Sequence, residues 1–346
     1  MILHVPLSKP WNLAMPLAAL MAAASCSPGS EATARPEDPG QERGFALPSW
    51  NAGDYDSRQA PAYIRRIAAT GARWVQINPT WYQRTTRDDS PHTTGETASD
   101  GSVRHIIGLA RAAGLKVLLK PHVDLPGAQD RADIRPSDSR HWFAAYTGFI
   151  VHYADLARQA HAAELAVGTE LAGVSGDRAG WLGVIAAIRR HFDGPLVYAA
   201  NYDEYSKVAF WDALDLVGID AYWPLAARPT TDVAALRRSW RPIAERLSGF
   251  AARTHRRILF TEAGYVSQRG TTVAPYSWTI SRSNGDDEQA AAYEALLETF
   301  GRFPWWAGVH WWMWDDWPGS GETPARLAYT PHGKPAEQVV RRWWRR

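Results

Sequence analysis

Between residues 44 and 344 the chain alternates repeatedly between a short apolar run and an amphipathic helical stretch. The runs fall at 44–50, 72–78, 115–122, 165–170, 196–201, 216–222, 257–262 and 306–314. Helical periodicity covers 59–70, 102–113, 137–163, 178–192, 232–254, 286–303 and 335–344. Apolar runs of this length, buried on both faces and alternating with helices, predict a parallel sheet. Eight strands in alternation with helices predict an α/β fold of the (β/α)8 TIM-barrel type, which takes ~250 residues or more. An open doubly wound sheet is the competitor. It would carry a glycine-rich phosphate loop after its first strand, and Trp50-Asn-Ala-Gly-Asp-Tyr55 is not one.

The residues before the barrel read differently. Lys9 precedes an apolar run at 13–24 that ends in small residues and Ser25-Cys26. The run is too short for a bilayer, which needs ~20 apolar residues, and it fits a secretory signal at 1–26. Cys26 is the chain's single cysteine, so no intrachain disulfide forms. Its place at the cut resembles a bacterial lipoprotein signal, with Ala23 where Leu is usual. An ordinary cleaved signal and a mis-assigned start are the alternatives. Either signal implies export, and lipidated Cys26 implies membrane attachment. Residues 27–43, rich in Pro, Gly, Ser and charge, read as a flexible linker, with the barrel domain at 44–346. The net charge of +2 gives no support to a nucleic-acid partner. The closing arginines 341, 342, 345 and 346 read as the solvated face of a terminal helix.

In such a barrel the chemistry sits at the C-terminal ends of the strands. In chain order those ends carry Trp50, Asn78, His122 with Asp124, Glu170, Asn201, Asp220 with Tyr222, Glu262, and Trp312 with Trp314. A nearly complete ring of polar and aromatic groups is more telling than any one of them. Eighteen tryptophans exceed what a core needs, since each N–H wants a partner. Flat aromatic faces suit pyranose rings, so the surplus points mildly to carbohydrate.

Glu170 and Glu262 end the fourth and seventh strands, across the barrel from one another. Glycosidic cleavage needs one protonated carboxyl to assist the leaving oxygen and one ionised carboxylate to attack or stabilise the anomeric carbon. A separation of ~5–5.5 Å supports retention and ~6.5–9.5 Å inversion. Either glutamate alone would more commonly be a surface or ion-paired residue; the pair, with its flanking residues, favours catalysis.

Six stretches carry a family resemblance: Leu119-Lys-Pro-His-Val-Asp124, Val167-Gly-Thr-Glu-Leu171, Gly218-Ile-Asp-Ala-Tyr-Trp223, Phe260-Thr-Glu-Ala-Gly-Tyr265, Gly308-Val-His-Trp-Trp-Met-Trp314 and Tyr329-Thr-Pro-His-Gly-Lys-Pro-Ala336. In this order, over roughly residues 44–346, the chain resembles glycoside hydrolase family 113 of the clan A glycosidases, which includes β-1,4-mannanases. The resemblance implies Glu170 as acid/base and Glu262 as nucleophile of a retaining endo-β-mannanase. It also implies sugar-binding roles for Tyr222 and the strand-eight tryptophans. One departure from the wider clan is Thr169, where many members carry an Asn that contacts the sugar 2-hydroxyl.

The remaining candidates have bland alternatives. His122 and Asp124 are metal ligands, hydrogen-bonding groups for substrate or plain structure; without a second His pair, metal is the weakest of these. Lys120 shares their strand face and can reach a sugar hydroxyl. Trp312 and Trp314 are in phase and are expected to line the cleft, with Trp311 packed under a helix. Trp50, Trp81 and Tyr82 are candidates for outer subsites. Asn201 and Asp220 hold hydroxyls or cap loops, and Asn78 joins the substrate-binding set. Loops at 81–101 and 266–285, the latter with Tyr276 and Trp278, are long enough to be functional and are expected to wall the cleft. No metal or cofactor is required. The expected partner is a polysaccharide or oligosaccharide, β-1,4-mannan first, with another β-glycan or an exopolysaccharide as the alternative. A non-catalytic carbohydrate-binding envelope protein is the reading from another class, and it has no need of both glutamates.

Overall fold

A computed structural model describes residues 40–127, 129–314 and 325–345. The proposed signal, Cys26 and most of the proposed linker lie outside the described residues. Eight parallel strands close into a barrel: β1 (Glu42–Pro48), β2 (Trp74–Asn78), β4 (Lys116–Leu119), β6 (Glu164–Thr169), β7 (Leu196–Asn201), β8 (Leu216–Asp220), β9 (Arg257–Ala263) and β10 (Trp306–Trp311), with β10 pairing back to β1. The expected TIM barrel is therefore present.

Seven α-helices are described: α1 (Ala60–Ala69), α2 (Asp100–Ala112), α3 (Ser139–Ala160), α4 (Arg178–Ile188), α5 (Val233–Thr254), α6 (Asp286–Phe300) and α7 (Pro335–Trp344). Their starts follow local chemistry. Ser99, Asp138, Asp177 and Asp232 each accept a hydrogen bond from a backbone N–H of the first turn, satisfying donors that lack intrahelical partners. One unit departs from the expected pattern. β7 leads to β8 through only a 3-10 turn, Trp211–Ala213. The intervening sequence is short, and Phe210 and Trp211 cover the barrel there, Phe210 stacking on Trp181 at 4.8 Å.

The first strand begins earlier than expected, inside the segment read as linker. Glu42 and Arg43 pair with Gly308 and Val309 of β10. Two charged residues hide a strand from apolar pattern reading; here Glu42 is buried and meets His310 Nε2 at 2.9 Å. A short extra strand follows the second run, and the third run divides in two. After β2 comes β3 (Thr80–Tyr82), and after β4 comes β5 (His122–Asp124), with Pro79 and Pro121 at the breaks. β3 and β5 pair as a small parallel sheet above the barrel, so the expected 81–101 loop opens on a strand.

The core has layers. Leu118, Ala166, Val197, Leu259 and Ala307 form a cluster of their own, set by alternate residues of successive strands, as a filled barrel interior requires. The larger cluster lies between barrel and helices. Most of the surplus tryptophan goes there: Trp142, Trp181, Trp240, Trp306, Trp311 and Trp314 are fully buried. The count of tryptophans thus reports an aromatic sleeve more than a sugar cleft. Trp311 stacks on Tyr293 of α6 at 3.8 Å, under a helix as its phase predicts.

Candidate active site

Above the apolar interior layer lies a polar one. Gln76, Asn78, Lys120, Asp220 and Thr261 are all fully buried. Lys120 Nζ lies 2.5 Å from Glu262 Oε1 and 3.2–3.3 Å from both oxygens of Asp220. Thr261 Oγ1 donates to Asp220 Oδ1 at 2.7 Å, and the Tyr222 hydroxyl donates to Glu262 Oε2 at 2.7 Å. Thr261 and Glu262 are consecutive, and in a regular strand they would point to opposite faces. The pairing explains their convergence. Gly218 sits opposite Leu259 but Asp220 opposite Glu262, so β9 carries one extra residue against β8, and a bulge of this kind re-aims a side chain.

Glu170 is aimed by a similar device. Ala166 pairs with Val197 and Thr169 with Ala199, an extra residue on β6. Glu170 itself has φ of 52°, a left-handed conformation uncommon outside glycine. Its neighbours hold it there. Glu170 N donates to Ala199 O at 2.7 Å, Leu171 N donates to the Tyr198 hydroxyl at 2.8 Å, and Tyr198 in turn donates to Glu204 at 2.7 Å. A Cβ on Gly168 would lie 2.8 Å from Trp181 and 2.9 Å from Tyr198, so the strand reaches this packing only as glycine.

The two glutamates line one cleft of about 1510 Å3. Along its walls are Trp50, Tyr82, His122, Asp124, Arg131, Asn201, Tyr202, Tyr222, Tyr276, Trp278, Trp312 and Tyr329. The aromatic groups gather at one end: Trp50 meets Trp278 and Trp312 edge-on at 5.9 and 6.1 Å, and Trp278 meets Tyr329 at 4.8 Å. The 266–285 loop that carries Tyr276 and Trp278 is organised from beneath. Gln268 bonds Trp278 O, Leu327 O and Ile280 N, and Glu288 accepts from Gly270 N and Thr272 N. Tyr276 and Trp278 stay exposed, at 54% and 40%.

The charges in the cleft are tuned unequally. Burial pushes the Glu170 carboxyl well above the ordinary carboxylate range; Asp220 and Glu262 add to this, and Arg131 and Lys120 oppose it. Burial and the neighbouring Glu262 push Asp220 up to about 7, against Lys120 and the Thr261 hydroxyl. Burial would lower Lys120, but Asp220 and Glu262 outweigh it and hold the ammonium charged. His122 is pushed well below its usual value by burial and by Arg131 and Lys120, so it is neutral at pH 7.

The sequence-predicted residues divide into three groups. Glu170, Glu262, Tyr222, Trp312, His122, Asp124 and Asn201 line the cleft. Lys120, Asp220 and Asn78 lie directly beneath it: the first two touch Glu262 or its partner lysine, and Asn78 meets His122 at 3.0 Å. Asn201 spends its side-chain oxygen on Tyr202 N at 2.8 Å, shaping its own loop. Trp81 and Trp314 lie elsewhere. Trp81 packs on Phe149, His152 and Tyr153 of α3, because the alternation of β3 turns Tyr82 to the cleft and Trp81 away. Trp314 is fully buried against Phe45 and His332. β10 ends at Trp311, so the in-phase relation of Trp312 and Trp314 does not extend beyond the strand. Thr169 is buried too, its hydroxyl without a hydrogen-bond partner.

Arg131, like Tyr202 and Tyr329, is a cleft residue that sequence reading missed. It lies in a 3-10 turn (Arg131–Asp133) after β5, with nothing in the local pattern to mark it. Its Nε donates to Asp124 Oδ1 at 3.0 Å, Nη2 pairs with the same oxygen, and Nη1 reaches Glu170 Oε2 at 3.4 Å. Asp124 is thereby committed to Arg131. Among the described residues, no group of three or more His, Cys, Asp or Glu side chains is placed to hold a metal ion.

Comparison with known proteins adds an independent line. A model of Glycoside Hydrolase Family 113 matches residues 45–334. No curated protein matches the chain. Among solved structures it is similar to the family 113 β-mannanase of Alicyclobacillus acidocaldarius in complex with ManMIm, at 28% identity and TM-score 0.79, covering 88% of this chain and 97% of that one. A structure described as a complex of a family 113 β-1,4-mannanase aligns with TM-score 0.80 at 23% identity, over 88% and 99% of the two chains. A Streptomyces cattleya protein of family 5, subfamily 18, in complex with Manβ1-4GlcNAc, shares the fold at TM-score 0.63 and 16% identity, over 88% and 81%. With the family model spanning most of the barrel and the polar ring at its C-terminal mouth, the chain belongs to glycoside hydrolase family 113.

Proposed function

We propose that this glycoside hydrolase cleaves β-1,4-linked mannan by a retaining mechanism, with Glu262 as nucleophile and Glu170 as acid/base. The observation that carries the reading is the unequal setting of the two carboxyls in one cleft. Glu262 is met by a buried ammonium and a phenol hydroxyl, one on each carboxylate oxygen, which hold it in place as a nucleophile. Burial and like charges favour the protonated form of Glu170, as a proton donor needs. In the first step Glu262 forms a bond to the anomeric carbon as the glycosidic bond breaks, and the Glu170 proton passes to the departing oxygen. In the second, Glu170 takes a proton from water as that water displaces Glu262. The family 113 relatives described as β-mannanases support mannan as the substrate.

The decisive experiment is incubation with mannan, glucomannan, xylan and β-glucans. Product masses and proton NMR of the newly formed anomer are followed. Mannan oligosaccharides released with retained β-configuration are expected. Inverted product, or cleavage confined to another glycan, overturns the corresponding part of the reading. Glu262→Ala is expected to fold and to lose turnover; near-normal activity on the true substrate ends the assignment of Glu262.

We also propose export with a lipid anchor on Cys26, supported by the apolar run and small residues that precede it. Labelling of the expressed chain with a radioactive fatty acid, lost in Cys26→Ala, is the expected result; unlabelled protein released free of the membrane points to an ordinary signal.

A further inference from the structure

His122 is placed between two nitrogen donors. Arg131 Nη1 lies 3.3 Å from its Nδ1, and Asn78 Nδ2 lies 3.0 Å from its Nε2. A neutral imidazole accepts at one nitrogen and donates at the other, and a guanidinium only donates. Nδ1 is therefore the acceptor, Nε2 carries the hydrogen, and Asn78 must present its oxygen. Nearby, the buried Gln76 Oε1 has no partner, while Gln76 Nε2 faces Asn78 Oδ1 at 3.5 Å. Turning both amides over makes the chain of bonds consistent: His122 Nε2–H donates to Asn78 Oδ1, and Asn78 Nδ2 donates to Gln76 Oε1. Amide orientation is assigned from such networks.

The consequence is a continuous brace, Gln76–Asn78–His122–Arg131, ending on Glu170. Arg131 is gripped on its other side by Asp124. Four charged groups besides Arg131 bear on Glu170 and its brace: Asp220 of β8, Glu262 of β9, Lys120 between β4 and β5, and Asp124 of β5 through Arg131 itself. Asp220 and Glu262 favour the protonated acid, whereas Lys120 and Arg131 favour the anion.

We propose that Arg131, locked by Asp124 and by a neutral His122 in the Nε2–H form, is the positioning residue that orients Glu170 and sets the balance between its acid and base forms. This rests on the retaining mechanism proposed above. Once Glu262 is esterified by the sugar its negative charge is gone, and one of the influences keeping Glu170 protonated goes with it. The cation of Arg131 then prevails, and Glu170 gives up its proton in time to act as base toward water. A guanidinium that merely tied down the 125–136 loop would have no effect on this cycle.

The test uses the full chain and its Arg131→Gln, Arg131→Lys and Asp124→Asn variants. kcat and KM are measured against pH on unactivated mannan oligosaccharides, and also on ones carrying a dinitrophenyl leaving group, with and without azide. Arg131→Gln is expected to move the alkaline limb of kcat/KM up by about one pH unit. Its kcat on the dinitrophenyl substrate should fall about tenfold with a fall in KM, as the glycosyl-enzyme accumulates. Azide attacks that intermediate without a base, releasing Glu262 and forming the glycosyl azide, and should restore the rate. Arg131→Lys keeps the charge and should leave the limb nearly in place. Asp124→Asn frees the charge of Arg131 and should move the limb down. An unmoved limb in Arg131→Gln, or loss at all pH values that azide does not relieve, overturns the proposal. If Arg131→Gln does not fold, the direction in Asp124→Asn decides: upward or no movement overturns it. Glu170→Ala in parallel separates the two ideas. Azide rescue there with no limb shift in the Arg131 variants removes only the positioning role, whereas absence of rescue removes the acid/base assignment itself.

Discussion

Lys120 Nζ lies 2.5 Å from Glu262 Oε1 and is fully buried beneath it. The ammonium is shared with Asp220, so two carboxylates depend on one cation that water does not reach. Removing one partner of a buried pair costs about 3–5 kcal/mol, because the remaining charges lose their compensation. Lys120→Met is therefore expected to lower the unfolding free energy by about that amount and to reduce kcat at least tenfold. Lys120→Arg should not rescue it, since a planar guanidinium does not fit a site built for a compact ammonium. Denaturant unfolding and initial rates check both; unchanged stability in Lys120→Met would show that the pair is not the anchor described.

Tyr222 bears on the other oxygen of Glu262 at 2.7 Å. Burial and the adjacent carboxylate hold the phenol well above its ordinary pKa, so it stays a donor throughout any practical assay range. A hydrogen bond to a charged group contributes about 1.5–3 kcal/mol. Tyr222→Phe should lower kcat by roughly 10- to 100-fold on that scale and leave the melting temperature nearly unchanged. A rise in KM alone would argue that Tyr222 acts on the substrate instead.

At the opposite end of the barrel, Glu164 is buried, and burial together with its hydrogen-bonded neighbour Glu42 raises its carboxyl well above the ordinary range. Glu42 in turn meets His310. A carboxyl raised on folding holds its proton where the unfolded chain has lost it. Its stabilising contribution is complete below the unfolded pKa of about 4.3 and declines as pH climbs toward the folded value. The wild type should thus lose stability as pH rises above about 4.3, and Glu164→Gln should flatten that slope. Thermal melts of both proteins across this window are the check; parallel curves would remove Glu164 as the source.

Gly264 follows Glu262 by two residues, and a Cβ there would lie 2.3 Å from the Trp312 carbonyl oxygen and 2.9 Å from the Tyr329 ring. The backbone of one cleft-lining residue and the ring of another occupy the space a methyl would need. Gly264→Ala must push Trp312 outward, at a cost of about 1–3 kcal/mol for overpacking. The expected readout is a rise in KM for mannan oligosaccharides larger than the loss in kcat. An unaltered KM would mean that Trp312 does not bind sugar in its present position.

Much of this molecule was determined by sequence alone. The eightfold return of short apolar runs specifies a closed parallel barrel, because strands buried on both faces need helices outside and one another inside. The same periodicity places Glu170 and Glu262 at strand ends, which is the face where barrel chemistry occurs. Tertiary structure decided the rest, for reasons that strand alternation cannot encode. Extra residues in β6 and β9 and the left-handed backbone of Glu170 aim both carboxyls into the cleft, and a bulge depends on what the neighbouring strand pairs with. Trp81 and Trp314 turn away because β3 is a strand and β10 stops at Trp311. Arg131 reaches Glu170 from a turn that follows β5, and Glu42 is a strand residue because its backbone pairs with Gly308 of the neighbouring β10 while its carboxylate meets His310. Periodicity reports which face of an element is buried; it cannot report which side chains from distant elements will meet there.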